Sequence, residues 1–129
     1  MDNTPKEIEI GNGRFRIENG ILEISFLPGT ELTIDDIKAQ SAKVAEMTGG
    51  KKILTLSDAT NVKGMTREAR VFVTSGGGGG YAKALATIVT TPLGRILSNF
   101  FMKINKPSFP MKICSTKEEG IAWLQQFKD

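Results

Sequence analysis

The sequence predicts one α/β domain built on a mixed β-sheet with an antiparallel N-terminal meander. Apolar and polar residues alternate along the first segments, which are separated by Asn-Gly turns. Further along, short apolar runs alternate with stretches at helical spacing, an order typical of βαβ units. The 129 residues have the length of one domain, and no internal repeat or linker divides them, so we expect residues 1–129 to form a single unit.

The first half of the chain predicts the meander, a helix and a buried strand. Alternation over 8–26 gives the meander, which Pro28-Gly29 ends. Thr33 has the residue type of a helix N-cap, and Gly49-Gly50 ends the helix that follows it. A short apolar run over 52–57 then predicts a buried strand, and 58–65 reads as a polar loop.

The second half predicts three helices and two strands. Thr66 caps a short helix over 67–74, and after five glycines a central strand is predicted over 81–89. The alternative for this segment is a helix, because Ala-Lys-Ala-Leu-Ala alone could be helical. The next helix, 93–104, begins after Pro92, and a last strand at 111–114 leads into a C-terminal helix. The residues expected to be buried on these last two helices are Leu97, Phe100, Ile104, Ile121, Leu124 and Phe127.

Composition excludes several function classes. The net charge is +3 with scattered lysines, which is not the basic stripe of a nucleic-acid binder. Histidine is absent and Cys114 is the one cysteine, so we expect no zinc site, no Ser-His-Asp triad and no cofactor. No uncharged stretch is long enough to span a bilayer, and without a possible internal disulfide a cytoplasmic location is expected.

Several short motifs in order resemble a known family. They are Gly20-Ile21-Leu22-Glu23-Ile24, Asp58-Ala59, Thr66-Arg67-Glu68-Ala69-Arg70, Asn105-Lys106-Pro107 and Ala122-Trp123-Leu124. Together they resemble the uncharacterised bacterial SpoIIAA-like proteins, which are STAS-like. The resemblance implies a curved mixed sheet wrapped by helices in a βα superhelix, acting by docking to protein partners. The wider architecture also includes lipid-binding domains.

The resemblance also identifies a departure from the family pattern. Regulatory STAS proteins are phosphorylated on a serine directly after the strand-ending aspartate. That aspartate corresponds to Asp58, and the next residue here is Ala59, which has no hydroxyl. Thr60 lies one position further on. We therefore predict that the chain is not a serine-phosphorylated switch at the usual position.

The expected ligand- or partner-binding site lies at the carboxyl edge of the sheet, where open α/β sheets bind ligands. Two arginines beside a helix N-terminus there suit an anionic group. The alternative is structural, with Asp58 accepting loop N–H bonds and Arg70 pairing with an acidic neighbour. The candidate residues are Asp58, Thr60, Asn61, Thr66, Arg67 and Arg70, with Thr90, Thr91, Arg95, Cys114 and Ser115 expected on the same rim.

Two other features receive structural interpretations. The glycines at 76–80 follow a helix and precede a strand, the reverse of a phosphate-binding loop, so they are read as a loop. Cys114 is read as a small core residue.

The leading function is therefore a non-catalytic protein-interaction or regulatory module whose partner is another protein or a second copy. The alternative is a small-ligand domain for a lipid or an anionic metabolite, and an enzyme ranks last. An enclosed apolar cavity would favour the ligand, and an exposed apolar patch would favour docking.

Overall fold

The computed structural model describes residues 7–74, 81–92, 94 and 109–128. The strands in this part of the chain are β1 (Ile8–Ile10), β2 (Gly13–Glu18), β3 (Ile21–Phe26), β4 (Thr30–Leu32), β5 (Ile53–Asp58), β6 (Val62–Met65), β7 (Ala82–Ile88) and β8 (Met111–Cys114). The helices are α1 (Ile34–Thr48), α2 (Arg67–Thr74) and α3 (Lys117–Leu124), and α3 runs into a 3₁₀ turn, Gln125–Phe127.

Six strands form one mixed sheet in the order β1-β2-β3-β5-β7-β8. β1, β2 and β3 pair antiparallel, whereas β5 pairs parallel with β3 and β7, and β7 pairs parallel with β8. The antiparallel N-terminal meander and the parallel remainder confirm the predicted fold class. Within 81–89, residues Ala82–Ile88 form β7, a strand of alternating burial that lies between β5 and β8. The sequence of this segment taken by itself would also suit a helix.

A second, two-stranded sheet corrects one expectation. The prediction of a continuous polar loop over 58–65 is wrong in its second half, because Val62–Met65 forms β6 and pairs parallel with β4. Val62 and Met65 pack on the core beside the fully buried Leu32. β6 could not be recognised from the sequence, because this strand is short and contains Gly64, and glycine is disfavoured in strands.

Two apolar clusters lie on the opposite faces of the large sheet. Successive strand residues point to opposite faces, so Ile21 joins one cluster and Leu22 the other. The Leu22 cluster packs against α1 and α2, and the Ile21 cluster packs against α3. Each helix therefore covers a defined part of the sheet, and α1 and α2 share a face.

The predicted helix ends are confirmed at α1. The Asp36 backbone N–H donates to Thr33 Oγ1 at 3.2 Å, and the Thr33 N–H donates to Asp36 Oδ2 at 3.1 Å, which completes a capping box. Gly49 adopts a left-handed conformation with φ of 66° at the other end.

Some expectations lie outside the described residues. These are the helix over 93–104 with Leu97, Phe100 and Ile104, the glycines at 76–80, and Arg95. Among the described helices, none is long and apolar enough to cross a bilayer.

Candidate functional site

The loop after β5 is held by its own side chains. Asp58 Oδ1 accepts hydrogen bonds from the Thr60 backbone N–H at 2.9 Å and from the Thr60 hydroxyl at 2.5 Å. This is the turn geometry in which an aspartate satisfies the backbone two residues on. Thr60 is exposed, but its hydroxyl proton is directed to a carboxylate.

Asn61 joins this loop to the end of β3. Its side-chain amide donates to the Phe26 carbonyl oxygen at 3.1 Å, and its own carbonyl oxygen accepts from the Thr30 N–H at 3.3 Å. The first bond connects the start of the β4–β6 pair to β3 of the large sheet, and the second joins Asn61 to β4. The role that the structure gives Asn61 is to position β6.

The start of α2 carries the other predicted residues. Thr66 Oγ1 accepts from the Ala69 N–H at 3.2 Å, which confirms it as the cap of this helix. Arg70 is half-buried and its Nη1 donates to the Met65 carbonyl oxygen at 3.3 Å. Arg67 is exposed. Only one of the two arginines therefore extends freely into solvent.

The structure divides the six predicted residues into two groups. Asp58, Thr60 and Asn61 lie at the end of β5, and the other three lie beyond β6. β6 lies between the two groups along the chain, and its pairing with β4 replaces the continuous loop that the sequence predicted.

The other rim residues also have local roles. The Ala59 N–H donates to the Ile88 carbonyl oxygen and the Val89 N–H to that of Cys114, so the ends of β5, β7 and β8 lie at one edge as expected. Cys114 is fully buried in the core, as predicted. Thr90 is exposed, and the Ser115 N–H donates to Glu119 Oε2 at 3.2 Å. Thr91 Oγ1 accepts from the Gly94 N–H at 3.0 Å.

Sequence reasoning missed an open apolar groove between α1 and α2. Its volume is about 430 Å³, and it is lined by Ile34, Arg67, Glu68, Val71 and Phe72. Among the described residues, Val71 is the large apolar residue that is exposed, at 43% of its surface. The signal was in the sequence, because Val71 follows Arg67 by four residues and Glu68 by three and so shares their solvent-facing side.

The groove has charges of both signs around it. Lys38 Nζ of α1 lies 5.8 Å from the ring centroid of Phe72, within the range of a cation–π contact. Arg67 and Glu68 are both exposed at the groove. Within the described residues, no group of three acidic, histidine or cysteine side chains is arranged to hold a metal ion.

The opposite face of the sheet carries a separate charge network. Glu23 Oε1 lies 2.9 Å from Lys117 Nζ and 3.3 Å from Arg16 Nη2. Burial by itself would raise the pKa of Glu23, but the hydrogen bond and charge of Lys117, with Arg16, hold that pKa below its usual value of 4.5. The network joins α3 to β3 and β2, which is a structural role.

Comparisons with known proteins identify a family and a fold. A family model described as a domain of unknown function, DUF7793, matches residues 15–128. No curated protein matches the sequence. A crystal structure of an uncharacterised DUF3478-family protein with a SpoIIAA-like fold, from Shewanella loihica PV-4, superposes with a TM-score of 0.60 at 16% identity, covering 96% of this chain and 98% of that one.

A second solved structure is similar mainly in sequence. It is a protein of unknown function from Arthrobacter sp. FB24, with 26% identity over 86% of this chain and 97% of that one, and a TM-score of 0.33. The superposition on the Shewanella loihica protein therefore establishes the SpoIIAA-like fold of this chain.

Proposed function

This chain belongs to the DUF7793 family, a domain of unknown function, and from that premise we propose that it is a non-catalytic protein-interaction module. Its docking surface is the groove between α1 and α2, and its setting is the cytoplasm. The observation that carries the proposal is the apolar side chain of Val71, 43% exposed on the charged side of α2.

The apolar surface at the groove is contiguous. A single exposed apolar side chain on a protein surface is ordinary and needs no explanation. Here Val71 is joined by the partly buried Ile34 and Phe72, which come from two different helices. An apolar centre surrounded by charged side chains is the usual anatomy of a protein–protein contact.

Catalysis has less support from the same residues. Asp58 is the carboxylate among the six predicted residues, yet its Oδ1 accepts two hydrogen bonds from Thr60. Arg70 is bonded to a backbone carbonyl oxygen, and β6 lies between Asp58 and Arg67 along the chain. The arrangement suits turns and helix starts better than it suits acid–base chemistry.

The small-ligand alternative also fits the groove less well. A lipid or an anionic metabolite is normally held in a concave site that buries most of its surface. The groove is open, and only five of the residues that the structure describes line it, so such a ligand would stay largely in water. A protein partner can bury an open groove under its own surface, so the open shape supports protein docking over the binding of a small ligand.

Site-specific photo-cross-linking tests the proposal. A photoreactive amino acid replaces Val71 in one variant and Ala122 in another, and each is irradiated in cells that express it. Ala122 is exposed on α3, which packs on the opposite face of the sheet, so it is a matched control. We expect a defined protein adduct from position 71 and none from position 122. Equal adducts from both positions, or none from either, would contradict the proposal.

A further inference from the structure

We infer that the occupant of the groove is a second copy of this chain, packed about a two-fold axis that runs along α2. This inference rests on the proposed function, because it names the partner of the same surface. In this arrangement the Val71 side chains of the two copies meet at the axis. Arg67 of each copy faces Glu68 of the second copy.

Helix geometry places the three side chains as this contact requires. At about 100° per residue, Arg67 lies about 40° to one side of Val71 and Glu68 about 60° to the other, one turn towards the N-terminus. Seen from the solvent, Val71 therefore has the positive charge of Arg67 on one side and the negative charge of Glu68 on the other. Ala69 is fully buried on the core side, which fixes this face outward.

The two charges are available for a partner. Arg67 and Glu68 are exposed, and neither enters an ion pair with another residue in the described part of the chain. Elsewhere on the surface, Arg14, Arg16 and Lys43 have acidic partners within 4 Å. Among the residues that the structure describes, Arg67 and Glu68 therefore flank Val71 as two charges without an ion-pair partner.

Symmetry makes this surface complementary to itself. A two-fold axis parallel to the helix exchanges left and right, so it places the positive side of one copy against the negative side of the other. The contact is isologous, with Arg67 against Glu68 twice and Val71 against its own copy. A partner with a predominantly acidic or basic surface would satisfy one of these charges and oppose the other. The net charge of +3 adds little repulsion between copies.

Charge reversal tests this reciprocity. Arg67→Glu makes both positions acidic and Glu68→Arg makes both basic, so each variant repels its own copy. Mixed together they are complementary at both contacts. Native mass spectrometry on variants made distinguishable by mass measures these associations. We expect the wild type to form a dimer and each variant to self-associate at least about tenfold more weakly. The mixture of the two variants should form a heterodimer.

Two further variants separate packing from folding. Val71→Glu should abolish the dimer and Ala122→Glu should leave it intact, while both keep the wild-type melting temperature at a protein concentration low enough to dissociate the dimer. A wild-type chain that stays monomeric, or a mixture that fails to recover the heterodimer, overturns the inference. The photo-cross-link separates this failure from that of the proposed function. An adduct of different mass at position 71 retains docking and excludes the second copy, and no adduct contradicts both.

Discussion

The side-chain amide of Gln40 donates a hydrogen bond of 2.7 Å to the carbonyl oxygen of Gly11, which lies 29 residues earlier in the chain. Gln40 is buried at 3% exposure on α1, among the apolar residues Ile37 and Val44. The bond joins the β1–β2 turn to the helix that forms one wall of the groove. Gln40 is thus a polar residue within the otherwise apolar buried stripe of α1.

We expect Gln40→Leu to destabilise the protein by about 1–3 kcal/mol, because it preserves side-chain size and removes the donor from the carbonyl oxygen of the partly buried Gly11. Chemical denaturation measures the loss of unfolding free energy. Gln126→Leu, at an exposed position near the C-terminus, is the control and should change it by less than about 0.5 kcal/mol. Equal effects of the two substitutions would show that the bond contributes nothing.

The two arginines of α2 should differ in what they support. Arg70→Ala removes a charged donor from the Met65 carbonyl oxygen and should cost about 1.5–3 kcal/mol of stability. Arg67→Ala touches an exposed side chain and should leave stability within about 0.5 kcal/mol of wild type while weakening docking at the groove. Melting curves and a binding measurement on both variants check this. A stable Arg70→Ala beside a destabilised Arg67→Ala would reverse the assignment.

Local sequence signals were sufficient for most of the fold. Alternation between Asn-Gly turns specified the meander, and the cap at Thr33 and the glycines at 49 and 50 specified α1. β6 was missed because a short strand containing Gly64 acquires its identity from pairing with β4, a contact between distant segments. Gln40 was missed because burial of a polar residue depends on a partner 29 residues away.

The candidate site was harder to predict than the fold. Residue types placed Asp58 and Arg67 near one rim, since a polar loop between them would have been compact. Instead β6 lies between them along the chain and pairs with β4, a pairing of distant segments that no local pattern encodes. The groove is formed by Ile34 of α1 and Val71 of α2, and the packing of two helices is decided by tertiary contacts. The position of Val71 on the charged side of α2 can therefore be derived from the sequence, whereas the groove beside it cannot.

Stability should depend on pH through Glu23. Its pKa is lowered on folding, so the stabilisation from Lys117 and Arg16 is fully present above pH 4.5 and is lost as the pH falls through the lowered value. The melting temperature of Glu23→Gln should therefore lie below that of wild type near neutral pH. The difference should close in acid. Glu46→Gln, in an exposed pair with Lys43, is the control and should show little difference throughout. A Glu23→Gln difference that widens in acid would contradict this assignment.

Phosphorylation at the loop after β5 should not occur. Ala59 has no hydroxyl, and Thr60 donates its hydroxyl proton to Asp58, so a phosphate there would lie against a carboxylate. Incubation with a serine kinase that switches STAS proteins, followed by intact-mass measurement, should leave the mass unchanged. Stoichiometric phosphate that disappears in Thr60→Ala would show that the switch has moved by one residue.

The most direct measurement of the central claim compares Val71→Glu with wild type and with Ala122→Glu in two readouts, melting temperature and size in cell extract. An exposed valine contributes little to stability, so the three purified chains should melt together at a concentration low enough to dissociate any complex. Wild type and Ala122→Glu should elute in a complex larger than the 14.0 kDa chain, and Val71→Glu should elute as the single chain. A Val71→Glu chain that elutes in the wild-type complex would contradict docking through the groove.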